Sequence, residues 1–366
     1  MKVIEPADLR RLALMESSER AFVSCYINPR NDADWLRRRC AAVERMLEDD
    51  PDDLEYFREG MKTVSEWLDE YGGESEAVCV FACFALDFVE GYRLPVAVER
   101  MLRIGPAPAI RPLAEFEEEH DDFVFVAADN DGAEIYFVSS AMIFEQEQVK
   151  GDIKNHVKKG GWSQKRYQRR RRNELLHYAK DVVESLEALF EKKSFSRLVV
   201  LGSMEARDAI LDQLSERLSA ILAGEDGADL GESENELLEE ATAFVEEAGR
   251  RKEKELWKRI KSEHLGNGLA ETGWEDVWFA LSTGRADHVM LDREVKRKGY
   301  KCRACENVTP DADRKSCRYC KADDGYDIDL VDEVVRQAQR TSAEVEFSDP
   351  IEGLSKLEGI ACLTRY

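Results

Sequence analysis

No run of eighteen apolar residues occurs in the sequence, so no transmembrane helix is predicted. The first twenty residues, MKVIEPADLRRLALMESSER, carry acidic side chains and lack an apolar signal core, so we expect a cytoplasmic protein with no membrane partner. Histidine is scarce, with five residues, and no acidic metal cluster lies near the basic stretch discussed below. Both features disfavour a metal-dependent nuclease.

The composition indicates a folded protein of more than one domain. A length of 366 residues predicts two or three domains, and 43% hydrophobic residues are enough for packed cores. The formal net charge of −23 favours solubility and gives no reason to expect nucleic acid over the whole surface. No known DNA-reading motif is present, so DNA is not an expected partner.

Alternating apolar strands and amphipathic helices predict an α/β fold in three domains. We expect an N-terminal α/β domain at 1–117, a middle domain at 118–228 and a C-terminal α/β domain at 229–366. In the middle domain, DDFVFVAADNDGAEIYFVSS reads as a hairpin, RLVVLGS as a strand and EARDAILDQLSERL as one helix. A Gly- and acid-rich linker is expected over Ala223–Ser233, followed by a long charged helix.

Four cysteines near the C-terminus have the spacing of a metal site. CRACENVTPDADRKSCRYC, in a segment at about 300–325, contains two Cys-x-x-Cys pairs, Cys302 with Cys305 and Cys317 with Cys320. Four thiolates and no open position favour a structural zinc ion, and two disulfides or free thiols are the alternative. Neighbouring cations offset the charge of the thiolates or contact RNA. They are Lys301, Arg303, Arg314, Lys315 and Arg318.

The most unusual stretch is VKKGGWSQKRYQRRRR, at 157–172, where eight of sixteen residues are Lys or Arg and none is acidic. Gly160 and Gly161 permit backbone angles closed to other residues, and Ser163 is a good N-cap for a helix starting near Gln164. Cations in the first turns of a helix oppose its dipole and repel one another. A polyanion relieves this, and Trp162, Tyr167 and His156 supply rings that stack on bases.

The charge distribution therefore favours RNA contact over a solvated basic face. The predicted RNA-binding residues are Trp162, Lys158, Lys159, Lys165, Arg166, Arg169, Arg170, Arg171 and Arg172.

GGWSQKRYQRRRR resembles the Gly-Gly-Gln loop and following helix of archaeal and eukaryotic class 1 peptide release factors, as does ALSTGRADHVMLDREV with the cysteine ribbon and the closing LEGIACLTRY. The resemblance covers about residues 118–366. It implies a three-domain release-factor-like architecture, with a Gly-Gly loop in the middle domain and a zinc ribbon in the C-terminal domain. The first segment is similar only to a divergent bacterial and archaeal release-factor-like branch, which is related to Pelota and Vms-type ribosome quality-control factors.

The resemblance implies action on peptidyl-tRNA in the large ribosomal subunit, with rRNA and a translational GTPase as further candidate partners. Gly160, Gly161 and Gln164 would be the catalytic residues. A gapless match places Trp162 where release factors have glutamine, and Gln164 stands two positions later. The Asn-Ile-Lys-Ser signature for stop codons is absent from the first 115 residues.

Three functions remain in competition. The first is ribosome rescue by hydrolysis of peptidyl-tRNA without reading a stop codon. The second is a Pelota-like module that binds the ribosome without hydrolysis, which Trp162 favours. The third is a nuclease acting on the tRNA acceptor end.

Overall fold

The computed structural model describes residues 8–71, 75–129, 132–139, 142–150, 162–193, 195–227, 233–311 and 316–366, with residues 162–168 described only by their backbone. The chain forms two compact units. Unit 1 combines residues up to Glu119 with those from Glu255 onward, and unit 2 comprises His120–Lys254. The domain boundaries at 117 and 228 concern which segments fold independently, and they stay a prediction.

The N-terminal part of unit 1 is an antiparallel sheet in the order β3-β2-β1-β4. Its helices α2 and α3 cover one face, where Val23, Val78 and Val80 pack against Phe57 and Val64. The strands are β1 (Phe22–Ile27), β2 (Ala77–Cys83), β3 (Phe88–Leu94) and β4 (Met101–Gly105), and the helices are α1 (Leu9–Leu14), α2 (Ala33–Met46), α3 (Pro51–Tyr71) and α4 (Arg111–Glu119). Strands β1 and β2 are buried along their whole length, because both faces of the sheet are covered.

The C-terminal part of unit 1 contains a second sheet and a small three-stranded ribbon. The second sheet has the order β10-β16-β11-β15, in which only β11 and β15 are parallel, and the ribbon has the order β13-β12-β14. The strands are β10 (Ala270–Thr272), β11 (Ala286–Asp292), β12 (Lys298–Cys302), β13 (Val308–Thr309), β14 (Gly325–Asp329), β15 (Glu344–Ser348) and β16 (Ile360–Thr364), and the helices are α9 (Trp274–Ser282), α10 (Leu330–Thr341) and α11 (Glu352–Ser355).

One apolar core joins the two parts of unit 1. Tyr26 and Phe81 from the first sheet belong to the same buried cluster as Val331 and Val335 of α10 and Phe347 of β15. Because the apolar faces of both chain segments are buried in this shared core, each segment depends on the other for the burial of its sheet.

Hydrogen bonds and ion pairs of charged side chains also connect the two parts of unit 1 at the end of α1. Arg336 Nη2 donates to the carbonyl of Met15 at 3.1 Å, and Arg340 Nε donates to the carbonyl of Ala13 at 2.8 Å. Guanidinium groups at this position satisfy carbonyls that the helix itself leaves without partners, and they complement the negative end of its dipole. Glu16 follows directly and pairs with both Lys301 and Arg340.

Unit 2 is built on a mixed sheet in the order β7-β6-β5-β8-β9, where β5, β8 and β9 are parallel and β6 and β7 antiparallel. Helices α5 and α6 cover one face and α8 the other. The strands are β5 (Phe123–Ala128), β6 (Gly132–Ser139), β7 (Met142–Lys150), β8 (Arg197–Gly202) and β9 (Leu222–Asp226), and the helices are α5 (Trp162–Lys192), α6 (Met204–Leu211), α7 (Glu216–Ala220) and α8 (Glu234–Leu265). The part of α8 from Glu255 onward belongs to unit 1.

Two details of unit 2 differ from the sequence prediction. The single helix predicted after β8 is two short helices, because Ser215 caps a new helix by accepting from the Leu218 amide. The predicted linker starts inside β9, whose short run of apolar residues was too weak a strand signal. Among the described residues, no helix combines the length and apolar character that a membrane crossing requires.

Candidate functional site

The first candidate site is the basic beginning of helix α5. The helix begins at Trp162, so Ser163 lies inside its first turn and is not the N-cap that the sequence predicted. Trp162, Gln164, Lys165 and Arg166 belong to the helical backbone of this first part. The predicted residues Lys158, Lys159, Gly160 and Gly161, together with His156, lie outside the described residues.

The rest of α5 is anchored by its apolar face. Ala179, Val182 and Leu186 are fully buried and lie at helical spacing against Val124, Val126 and Val200 of the sheet. This packing holds the helix in place beyond Tyr178, whereas Arg169, Arg170 and Arg172 upstream are exposed. The basic segment therefore continues a helix whose later turns are well packed.

The four consecutive arginines differ in their partners. Arg170 Nε pairs with Glu174 Oε1 at 2.8 Å, one turn along the same helix, and Arg171 pairs with Glu205 at the start of α6. Arg169 and Arg172 are exposed and have no acidic partner within the described part of the chain. Two of the four guanidinium groups are thus already neutralised, and two keep their donors for another molecule.

The new start of the helix changes the electrostatic argument. A helix dipole acts within about one turn of the end, so with a start at Trp162 it opposes Lys165 and hardly reaches Arg169 and Arg172. No acidic residue lies in the first turn to offset it. Mutual repulsion between Arg169 and Arg172, three residues apart on one helix, remains as the reason why an anion is favoured there.

The second candidate site is the cluster of four cysteines in the ribbon. Cys302 ends β12, and its amide donates to the carbonyl of Asn307 at 3.1 Å, while the amide of Glu306 donates back to the carbonyl of Cys302 at 2.9 Å. The second pair repeats this pattern: Cys317 donates to Ala322 at 2.8 Å and receives from Lys321 at 3.1 Å.

In each of these turns, the residue that donates back has a left-handed backbone, with φ of 58° at Glu306 and 66° at Lys321. The two Cys-x-x-Cys segments therefore form equivalent knuckles, which present two thiols each.

The four sulfur atoms lie within 4.8 Å of one another. Between the two knuckles, the sulfurs of Cys302 and Cys320 lie 3.6 Å apart and those of Cys305 and Cys317 lie 3.5 Å apart. Sulfurs bound tetrahedrally at about 2.3 Å from one ion lie about 3.8 Å apart, so the cluster fits a metal ion with little adjustment. All four cysteines are free thiols, which argues against the disulfide alternative.

Hydrogen bonds prepare some of the sulfurs to carry negative charge. The side chain and amide of Asn307 lower the pKa of Cys305 to about 6, and the Asn307 side chain donates to its sulfur at 3.4 Å. The backbone amides of Cys320 and Tyr319 lower the pKa of Cys317.

The pKa of Cys320 is raised to about 12, since the amide of Ala322 lowers it but contacts with the other thiols and burial outweigh that amide. Neighbouring thiolates repel one another electrostatically, and a bound divalent cation offsets this repulsion.

The cations around the ribbon are paired with carboxylates of the chain. Lys301 is buried and pairs with Glu16, Arg303 Nε lies 3.4 Å from Asp324, and Arg318 lies 3.3 Å from Glu275. Arg314 and Lys315 lie outside the described residues. Lys301 and Arg318 thus connect the ribbon to other elements of unit 1, and Arg303 pairs within the ribbon. The hydrogen bonds from Asn307 and the Tyr319 amide to the sulfurs were not predicted from the sequence. The only signal for them was the position of each residue two places after a cysteine.

Comparison with known proteins bears on the first of these sites and on the chain as a whole. The family model for bacterial archaeo-eukaryotic release factor family 10 matches residues 108–246, a range that contains the basic beginning of α5. Peptide chain release factor subunit 1 of Methanopyrus kandleri is 26% identical over 216 residues, covering 54% of this chain and 51% of that protein. The same factor of Thermococcus sibiricus is 23% identical over 303 residues, covering 73% of this chain and 71% of that protein.

A solved structure of Saccharomyces cerevisiae Dom34, described as a translation termination-like factor, matches with 15% identity and a TM-score of 0.43. The match covers 76% of this chain and 73% of that one. With a TM-score this low, the assignment of the chain rests on the sequence matches. In the first of these, the chain spans about half the length of the curated relative.

These matches identify the chain as a member of the archaeo-eukaryotic release-factor superfamily. Within that superfamily, residues 108–246 are similar to bacterial archaeo-eukaryotic release factor family 10. The predicted resemblance to the release-factor superfamily is thereby confirmed.

Proposed function

We propose that this protein acts in translation on the ribosome, where it frees nascent chains from peptidyl-tRNA in stalled complexes without reading a stop codon. The observation that carries the proposal is the surface of α5. Arg169 and Arg172 are exposed without acidic partners in the described chain, next to the segment that resembles the release-factor Gly-Gly-Gln loop.

The α5 surface suits RNA because the protein around it is acidic. With a net charge of −23, the chain repels phosphate over most of its surface, so contact is directed to the few places where cations outnumber acids. The packed part of α5 fixes the direction in which this segment points from unit 2. We infer that rRNA of the large subunit and the acceptor end of tRNA are the RNA partners.

For the chemistry, we propose that Gln164 orients the attacking water at the ester of peptidyl-tRNA. A neutral amide both donates and accepts hydrogen bonds, and it does not titrate near neutral pH. The ribosome would supply most of the catalysis and the glutamine the positioning of water. Gln164 lies in the first turn of α5, so its backbone is part of a regular helix from the start.

A second candidate function is a Pelota-like module that occupies the ribosome without hydrolysis. The presence of Trp162 at the position of the release-factor glutamine favours it. In that case, the basic surface of α5 would bind RNA in the same way, and Gln164 would have no role in cleavage.

We further propose that the cysteine cluster binds one structural zinc ion. Four sulfurs with no open position suit a closed site. Cys302, Cys305, Cys317 and Cys320 would hold the ion. The ion would supply folding free energy to the ribbon, which pairs with Glu16 of the N-terminal part through Lys301.

The test uses purified full-length protein with stalled ribosomes carrying peptidyl-tRNA labelled in both peptide and RNA. Free peptide together with intact tRNA is the expected result. Binding without any product would support the Pelota-like function, and peptide attached to a tRNA fragment would support the nuclease. Absence of binding to ribosomes and to isolated large subunits would contradict the proposal altogether.

A further inference from the structure

Tyr300 lies on β12 two residues before Cys302, so both side chains leave the same face of the strand. Across the ribbon, Cys302 pairs with Gly325 and Tyr300 pairs with Asp327 of β14. The ring of Tyr300 extends diagonally over Gly325, where a Cβ atom would lie only 2.2 Å from the tyrosine hydroxyl. The hydroxyl is therefore placed beside the strand position directly opposite Cys302.

The surroundings of this hydroxyl are unusual for a tyrosine. The side chain is only 6% exposed and belongs to one buried cluster with Cys302 and Cys317. Among the described residues, no hydrogen-bond partner is found for its hydroxyl. A buried hydroxyl without a partner is unfavourable, so an acceptor is expected in the functional state of the ribbon.

The cysteine cluster supplies such an acceptor once its thiols are deprotonated. The sulfurs of Cys305 and Cys317 already accept from Asn307 and from the Tyr319 amide.

We propose that Tyr300 is a positioning residue of the metal centre, whose hydroxyl donates a hydrogen bond to the metal-bound thiolate of Cys302 and covers it against solvent. The inference rests on the proposed metal site. No covalent bond changes, since the tyrosine keeps its proton and the sulfur stays bound to the ion. A donor of this kind stabilises the charge on sulfur and slows both loss of the ion and attack of electrophiles on the thiolate.

Gly325 is the second half of this arrangement. Because any larger residue would place a Cβ 2.2 Å from the Tyr300 hydroxyl and 2.6 Å from the Lys301 carbonyl, only glycine leaves room for the ring. Gly325→Ala therefore moves the hydroxyl while keeping it in the protein, whereas Tyr300→Phe removes it while keeping the ring.

The experiment measures zinc content, the Kd for zinc by chelator competition and the absorption spectrum of the cobalt-substituted full-length protein. Tyr300→Phe should raise the Kd by about 10- to 100-fold and speed the transfer of zinc to a chromophoric chelator. The sulfur-to-cobalt charge-transfer band should shift as well, which loss of packing alone would not produce. Tyr326→Phe is the matched control, because the Tyr326 ring lies under Arg303, 5.0 Å from its guanidinium carbon, rather than against the thiols.

The outcomes separate the two claims. If the parent protein takes up no zinc or cobalt, the metal site and this inference both fall. If the parent binds metal and Tyr300→Phe matches it in Kd and cobalt spectrum, the metal site stands and the role of Tyr300 is overturned. If Tyr300→Phe lowers the stability of the ribbon, the charge-transfer band of its folded, cobalt-loaded fraction decides: a band at the parental position would overturn the role of Tyr300.

Discussion

The cysteine ribbon and the beginning of α5 are both rich in cations, but they use them in opposite ways. In the ribbon, Lys301, Arg303 and Arg318 each pair with a carboxylate of the same unit. On α5, only Arg170 and Arg171 are paired, while Arg169 and Arg172 are exposed without an acidic partner in the described chain. The ribbon cations are thus engaged within the chain, whereas two arginines of α5 keep their hydrogen-bond donors, as the proposed RNA contact requires.

The largest expected effect breaks the ribbon itself. Cys305→Ser should reduce metal content from about one zinc per chain to almost none, because a structural site needs all four thiolates. Hydrogen exchange should then increase in β12–β14 while the sheet of unit 2 keeps its protection. Cys40→Ser, at a half-buried cysteine of α2 outside the cluster, is the control, and unchanged zinc in Cys305→Ser would contradict the assignment.

The second effect concerns RNA binding by α5. Changing Arg169 and Arg172 together to alanine should weaken binding to ribosomes and lower the slope of log affinity against log salt by about 1.4–1.8, which corresponds to two lost phosphate contacts. Salt titration of ribosome or tRNA binding measures it.

The matched control for this effect is the double change of Arg170 and Arg171 to alanine, which removes the same charge from paired positions. This control should lower the slope of log affinity against log salt by less than the double change of Arg169 and Arg172 does. Equal slopes in both double variants and the parent would show that none of these arginines contacts phosphate.

A third and smaller effect tests the structural role of a ribbon cation. Lys301→Met removes a buried charged partner of Glu16, although Arg340 stays 3.3 Å from that carboxylate. We expect a loss of about 1–3 kcal/mol in the free energy of unfolding of unit 1, with RNA affinity unchanged. Urea unfolding followed in unit 1 checks it.

Arg318→Met serves for comparison, because it breaks an exposed pair with Glu275 and should cost less than about 1 kcal/mol. A reduced salt slope for RNA binding in Lys301→Met would show that Lys301 contacts RNA, and would contradict a purely structural role.

The smallest effect is a difference in thiol reactivity in metal-free protein. With a pKa of about 6, Cys305 is a thiolate above pH 6 and loses that form as the pH falls below it, whereas Cys25 is buried, with a pKa raised to about 12. Alkylation at pH 7 should therefore label Cys305 well before Cys25, as measured by mass spectrometry. Equal labelling of both residues would contradict the activation by Asn307.

The sequence predicted local features better than long-range ones. The two knuckles follow from Cys-x-x-Cys spacing alone, since a few consecutive residues fix their geometry. The partner of Lys301 could not be foreseen, because Glu16 is far away in the chain. Likewise, the continuous apolar runs of β1 and β2 are typical of strands covered on both faces, but they do not show that α10 belongs to the same core.

Helix ends were the other weak point. Ser163 is a good capping residue by type, yet α5 begins one residue earlier, and the start of a helix depends on contacts that composition does not show. The break between α6 and α7 was missed for the same reason, because Ser215 lies inside the predicted single helix but caps α7. The sequence predicted all four arginines of α5 as RNA-binding residues, and the positions of Glu174 and Glu205 then showed which two are already paired.

The most direct test of the account is the rate of peptide release at saturating ribosome concentration by the parent and by Gln164→Ala. The account predicts that the parent releases peptide from intact tRNA and that Gln164→Ala binds ribosomes with nearly parental affinity but is slower by about 100-fold or more, the order expected when a positioning group is lost. Release by Gln164→Ala at the parental rate would contradict it.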